Sequence, residues 1–329
     1  MNRYTQPRIA LYCVTVSAEP RRLSLRQTGS AVGILIGIAG VVFVARTLVS
    51  RWDEVTAAFE SVDAKVIAGS LALGLASKVV IAGAWTSMIR SRGHDRQSTA
   101  QTMSWFFTGQ LGKYVPGAIW PIVGRAEMAV RSGVPRQDAY ASTGLSLVAT
   151  YLGAAITISA GSLVSGQRRA LGVTIGLGLV AGWAAFASRP VRTRVLAVLA
   201  RVTSNVTTLT DPGRLARLAV IHVPAWVLTS LSTSVTASAF GARIGLFEML
   251  FVTSASWFAG FVVVGAPGGI GVREAVFTTL AASIVGTPVA VSIAISSRVV
   301  FIAVDLIGAL AASILARGTR SEPRDPVEC

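Results

Sequence analysis

GAPGGIGVREA (265–275) is the stretch that decides how this chain is read. It interrupts an apolar run, residues 249–264 before it and 275–285 after it. Gly265, Pro267, Gly268 and Gly269 crowd into five positions that cannot continue a helix. Proline lacks the donor N–H, and glycine loses the most backbone freedom on ordering. Arg273 and Glu274 follow at once, two opposite charges where the flanking hydrophobicity calls for lipid. Broken backbone at membrane depth is tolerated only when it is buried in protein or lines a wet cavity. An ionisable side chain at a helix centre costs about 2.5–3.5 kcal/mol on insertion scales, so its default reading is functional. The break and its charge pair read as a substrate site.

The signature recurs earlier, in GKYVPGAIWPIVGRAE (112–127). Pro116 and Gly117 break an apolar segment, and Arg125 and Glu127 follow. Gly133-Val134-Pro135 comes after the first break and Gly286-Thr287-Pro288 after the second. Pro116 matches Pro267 at an offset of 151 residues, and Pro135 matches Pro288 at 153, close to half the chain of 329. Hydrophobic segments interrupted at corresponding points of two halves are the best sequence pointer to a transporter's site.

Composition agrees. The chain is 52% hydrophobic and 14% charged, with a mean hydropathy of +0.63. Several runs approach the ~20 apolar residues a spanning helix needs. The net charge of +15 is nearly all arginine and is spread through loops. Positive-inside bias explains it, and nucleic acid is excluded as a partner. Cys13 and Cys329 lie near opposite ends, and His94 and His222 are the only histidines. No disulfide framework, metal site or cofactor is expected. Residues 9–18 mimic a signal core but lead into Arg21, Arg22 and Arg26, so 1–28 reads as a basic cytoplasmic arm.

In order, the expected plan is all-α and polytopic. Membrane repeat 1 covers 29–164, with spans over 29–50, 64–89 and 138–164 and a re-entrant hairpin over 99–130, its tip near Tyr114 to Gly117. Membrane repeat 2 covers 170–316. It has spans over 170–187, 218–240 and 289–314, a second hairpin over 247–284, and an arginine-studded interfacial helix over 191–209. Residues 317–329 form a cytoplasmic tail. The inner segments then hold 19 Lys and Arg against 5 outside. That asymmetry supports six spans, two broken-helix hairpins and both termini inside. It also makes the second half an inverted repeat of the first, an arrangement of many secondary transporters.

The charged residues at lipid depth are the candidate substrate-binding set, and each has a structural alternative. Arg273 and Glu274 either meet substrate or pair with each other while Glu274 caps the broken helix. Arg125 and Glu127 are their counterparts, or ordinary residues of the inner interface. Lys113 meets a phosphate or snorkels. Arg298 and Asp305, seven residues apart on one helical face, either line the site or bridge to another helix. Lys78 in the second span stands the same way, and Arg46 reads as a snorkeller. His222 reads as an interface histidine. Trp85, Trp105, Trp120, Trp183, Trp226 and Trp257 fit interfacial anchoring. The acids Glu127, Asp138, Glu274 and Asp305 are scattered, without the clustered acids or His/Asp pair a membrane transferase needs. Enzymatic activity is not expected.

GKYVPGAIWPIVGR (112–125), SGVPRQDAYAS (132–142) and APGGIGVREA (266–275) resemble the transmembrane region of the lysylphosphatidylglycerol synthase/flippase proteins. The resemblance extends over about 29–316. It implies a bacterial plasma-membrane protein that flips a charged lipid between leaflets. Family members that make aminoacyl-lipids carry a soluble transferase domain after the membrane part, and the sequence to Cys329 contains no such stretch. The expectation is therefore translocation without lysyl-lipid synthesis, of a charged phospholipid or polyprenyl-linked lipid whose headgroup stays open. Half-helix N-termini with Arg125, Arg273 and Arg298 would take phosphate oxygens, while Glu127, Glu274 or Asp305 would meet a cationic headgroup. The rival is a non-transporting subunit that holds a glycosyltransferase or lipid-modifying enzyme through loop 189–217. Homo-oligomerisation stays open.

Overall fold

A computed structural model describes residue 49 and residues 63–91, 93–94, 97–114, 119–200, 211–263 and 269–318. The arm 1–28, nearly all of the first span, Pro116, Gly117, Pro267, Gly268, residues 201–209 and the tail beyond 318 lie outside the described residues. What is described is helical throughout: α1 (Ala64–Arg90), α2 (Thr99–Leu111), a 3-10 turn (Gly112–Tyr114), α3 (Trp120–Arg131), α4 (Arg136–Ser165), α5 (Arg169–Ala187), α6 (Arg189–Ala200), α7 (Pro212–Ser238), α8 (Leu246–Val262), α9 (Val272–Val285) and α10 (Thr287–Gly318).

Local chemistry sets these boundaries. Asp63 caps α1 by accepting the Lys65 N–H at 2.8 Å, and Asp211 caps α7 by accepting from Gly213 at 2.9 Å. Each satisfies an otherwise orphaned helix donor. Gly166 ends α4 in the left-handed conformation that glycine adopts without penalty. Helices α1, α4, α5, α7 and α10 are long and apolar enough to cross a membrane. Helices α2, α3, α8 and α9 have 13, 12, 17 and 14 residues. At about 1.5 Å per residue each falls short of a ~30 Å hydrocarbon core. They pack in two pairs, α2 with α3 and α8 with α9, at the positions expected of hairpins.

At the centre α1 lies against α7. Ser70 Oγ donates to the Ser232 carbonyl and Ser232 Oγ to the Ser70 carbonyl, each at 2.8 Å. One face further along, Ser77 Oγ donates to the Ala225 carbonyl at 2.7 Å. The two helices are thus antiparallel, and their small hydroxyl residues permit close backbone approach without leaving polar groups in an apolar medium. Helix α8 packs on α4, with Thr157 bonded to Ser254 at 2.9 Å, and α2 packs on α10. Helix α6 packs on α5 and leaves Val191 and Val195 exposed.

Gly308 of α10 lies directly over the Phe107 ring of α2, with no room for a Cβ. Gly308→Val should therefore lower the stability of the purified protein by about 1–3 kcal/mol, the usual cost of overpacking. Gly178→Ala, where a Cβ meets open space in mid-helix, should hold or raise the unfolding temperature in the same thermal melt, because alanine loses less backbone freedom there.

Two expectations change here. Trp120 and Trp183 are exposed, but Trp85, Trp105, Trp226 and Trp257 are buried among one another and against cations rather than anchoring at the interface. A cation over an indole face recovers electrostatic energy that lipid cannot supply, which draws these rings inward. His222 is wholly buried rather than interfacial. It sits beside Gly153 with Nδ1 2.7 Å from the Leu218 carbonyl.

Candidate functional site

Each hairpin buries one arginine by the same device. A Cβ built on Gly109 of α2 would come within 2.9 Å of the Arg125 Cβ in α3. One built on Gly260 of α8 would come within 3.2 Å of the Arg273 Cβ in α9 and 3.3 Å of the Gly269 Cα. Gly269 itself has φ +70, a conformation open to glycine, and faces the Gly260 backbone. The missing side chains let each return arm close on its partner and carry its arginine inward. The Arg125 guanidinium then lies 4.9 Å from the Trp85 ring centroid and 5.1 Å from Phe106. Arg273 lies 3.9 Å from Trp257 and 5.4 Å from Phe301. They are 5% and 4% exposed, and neither makes an ion pair with a carboxylate among the described residues.

The tip of the first hairpin is tied to the last span. Asp305 of α10, fully buried, pairs with Lys113 and accepts the Tyr114 hydroxyl at 2.7 Å; Lys78 of α1 lies 4.0 Å away. Both lysines also face the Trp257 ring, at 5.0 Å for Lys78 and 5.6 Å for Lys113. One indole is therefore shared by three cations from α1, the 3-10 turn and α9.

Glu274 caps its helix: Oε2 accepts the Gly271 N–H at 2.8 Å. Its other oxygen is 3.5 Å from Arg298 Nη1. The expected pairing of Arg273 with Glu274 is corrected to Glu274 with Arg298, because successive helical residues diverge by about 100° around the axis. Arg273 turns to Trp257 and Glu274 turns to α10. Glu127 departs for the same reason. Two positions beyond Arg125 is about 200° of rotation, which sends it away from the buried cluster to the α3–α4 junction. There it accepts the Tyr140 hydroxyl at 2.6 Å and pairs with Arg136.

Of the candidate residues, Lys113, Arg273, Glu274, Arg298 and Asp305 come together in one buried region, with Gly269 supporting it. Arg125 is buried on Trp85 and Phe106 and meets Lys113 only as part of one cavity wall, and Glu127 does not join them. Pro116, Gly117, Pro267 and Gly268 lie outside the described residues. Sequence reasoning weighed Lys78 as it did Arg298 and Asp305, placed Tyr114 only at the hairpin tip, read Trp257 as an interfacial anchor and left out Phe106. A signal for the two aromatics existed in SWFFTG (104–109) and SWFAG (256–260). Phe106 and Trp257, like Gly109 and Gly260, stand 151 residues apart, the offset of the two prolines.

A cavity of about 290 Å³ opens beside the cluster, with Lys78, Lys113, Arg125, Trp257, Gln110 and Tyr151 in its walls. Among the described residues, the cluster and the cavity wall together hold five basic side chains and two carboxylates, a formal excess of three positive charges. Both carboxylates already hold protein partners. Buried charge left uncompensated is costly, and a bound anion relieves it. Arginine suits this role because its planar fork binds phosphate oxygens two at a time.

A family model described as the lysylphosphatidylglycerol synthase TM region matches residues 30–308, which contain both hairpins and every member of the cluster. No curated protein matches the chain.

Proposed function

The chain belongs to the lysylphosphatidylglycerol synthase transmembrane-region family, and on that premise we propose that it carries a phosphate-bearing lipid between the leaflets of the plasma membrane. It is a multi-pass membrane protein of a family tied to lipid handling. The observation that carries the proposal is the pair of arginines, Arg125 and Arg273, one from each hairpin. Each is buried on aromatic rings and makes no ion pair with a carboxylate among the described residues. A headgroup cannot cross hydrocarbon with its charge bare, and a buried guanidinium replaces the water it loses. Transport rather than lipid chemistry is favoured because Glu274 and Asp305 are engaged by Gly271, Arg298, Lys113 and Tyr114.

The two halves support a mechanism of alternating access. Helices α1 and α7 hold corresponding places in the two halves and run antiparallel, as inverted repeats require. In this mechanism the hairpins rock against the long helices around a fixed central site. Inversion predicts a labelling pattern. With a membrane-impermeant maleimide, Gln137→Cys should react only from the cytoplasmic side and Arg243→Cys only from outside; both are exposed. Reaction from one common side ends the inverted arrangement.

The activity is tested by reconstituting the full chain in liposomes that contain fluorescent phospholipid and quenching the outer leaflet. The expected result is a protein-dependent rise in the quenchable fraction from about one half towards completion. No phospholipid exchanging above empty liposomes removes the proposal.

A further inference from the structure

The charge arrangement around the cavity goes further than a generic phosphate. Resting on the translocase reading, we infer that the headgroup taken by this site ends in a doubly negative phosphate, a monoester or diphosphate, and carries no primary amine. Three cations face the cavity, Lys78, Lys113 and Arg125. Behind them, among the described residues, stands a single carboxylate, Asp305, which faces the two lysines and not Arg125. Counted with all three basic groups protonated, the state a bound anion favours, the wall is two positive charges in excess. A phosphodiester supplies one negative charge, whereas a terminal phosphate supplies about 1.5 to 2 near neutral pH and three strong acceptor oxygens. Only the latter balances the wall.

A primary amine finds no free carboxylate among the described residues near the cavity. Asp305 is fully buried and holds Lys113 and Tyr114. Glu274 is spent on its own helix N-terminus and on Arg298, and Glu127 lies at another junction with Tyr140 and Arg136. The Trp257 face is taken by Arg273, Lys78 and Lys113. The neutral polar groups that do line the cavity, Gln110, Thr150 and Tyr151 among them, suit phosphate oxygens or hydroxyls. The same terminal phosphate chemistry is shared by a lipid headgroup and by free phosphate.

The test is binding by the detergent-solubilised full chain, read from its tryptophan fluorescence. The probes are dihexanoyl phosphatidic acid, dihexanoyl phosphatidylglycerol, dihexanoyl phosphatidylethanolamine and inorganic phosphate, all at pH 7.5. Phosphatidic acid should bind at least about tenfold more tightly than either diester, one charge-assisted contact's worth. Arg125→Gln should compress that preference to about threefold or less, and Arg125→Lys should retain most of it, which separates lost charge from lost fold. Inorganic phosphate as tight as phosphatidic acid keeps the charge class and assigns the site to a soluble anion. Equal or tighter binding of phosphatidylglycerol or phosphatidylethanolamine overturns the inference. Leaflet exchange of the long-chain lipids is measured separately, so a selective binder that moves no lipid defeats only the translocase reading. A translocase indifferent to headgroup charge defeats only this one.

Discussion

Replacing Arg273 by glutamine should cut leaflet exchange by about tenfold to a hundredfold while leaving the protein at least as stable as before. The two halves of that expectation have one cause. Arg273 lies 4% exposed over Trp257 and Phe301, without a carboxylate partner among the described residues. A charge-assisted hydrogen bond to substrate is worth about 1.5–3 kcal/mol, and its loss appears directly in the rate. In the empty protein the same guanidinium is a desolvated cation without an ion pair among the described residues, offset by two ring faces at about 2 kcal/mol or more each and by the charges of Glu274 and Asp305 at longer range. Neutral glutamine removes that burden, so the unfolding temperature should hold or rise. A residue kept for packing alone behaves the other way, with stability falling and activity following it. The measurement is quench-based exchange in liposomes beside a thermal melt of the same preparation. Full exchange activity in Arg273→Gln, or a melt shifted several degrees down, removes the arginine from the binding role. Arg125→Gln should follow the same pattern, because Gly109 places Arg125 as Gly260 places Arg273.

Asp305 should behave in the opposite manner. Asp305→Leu leaves Lys113 and Lys78 buried as cations without an acid and strands the Tyr114 hydroxyl. Breaking one side of a buried pair costs about 3–5 kcal/mol, chiefly through the charge left behind. Folded yield and melting temperature should drop sharply. The informative comparison is the double variant Lys113→Met/Asp305→Leu. Removing both partners takes away the orphaned charge as well as the attraction, and such replacements are often neutral or stabilising. The double variant should therefore recover much of the loss, a coupling measurable as a double-mutant cycle. Its transport should stay low, because the lysine and the anchored hairpin tip are both gone. If Asp305→Leu alone melts with the wild type, the ion pair does not hold the first hairpin to α10.

Much of this architecture is a matter of hydrophobic period and charge placement along one dimension. The long helices follow from uncharged runs, and the short pairs follow from Pro-Gly breaks that leave each arm below crossing length. Once loops take their arginines, six basic residues remain at lipid depth: Arg46, Lys78, Lys113, Arg125, Arg273 and Arg298. Arg46 lies outside the described residues; Lys78, Lys113, Arg273 and Arg298 meet in the cluster, and Arg125 joins the two lysines in the cavity wall. A cation in hydrocarbon must find company, so their mere presence in spans announced a buried site.

What the linear chain left undecided was who faces whom. Arg273 and Glu274 are neighbours in sequence and go separate ways in space; so do Arg125 and Glu127. The helix rotates each successive side chain by about 100°, and the partner is then chosen by whichever other helix stands there. Trp257 reads as an interfacial anchor until α1, the 3-10 turn and α9 bring three cations to its face. Sequence alone determined that charges would be buried in broken helices. Only the packing of those helices decided that Glu274 and Asp305 would both be engaged within the protein and that basic side chains would outnumber them among the described residues.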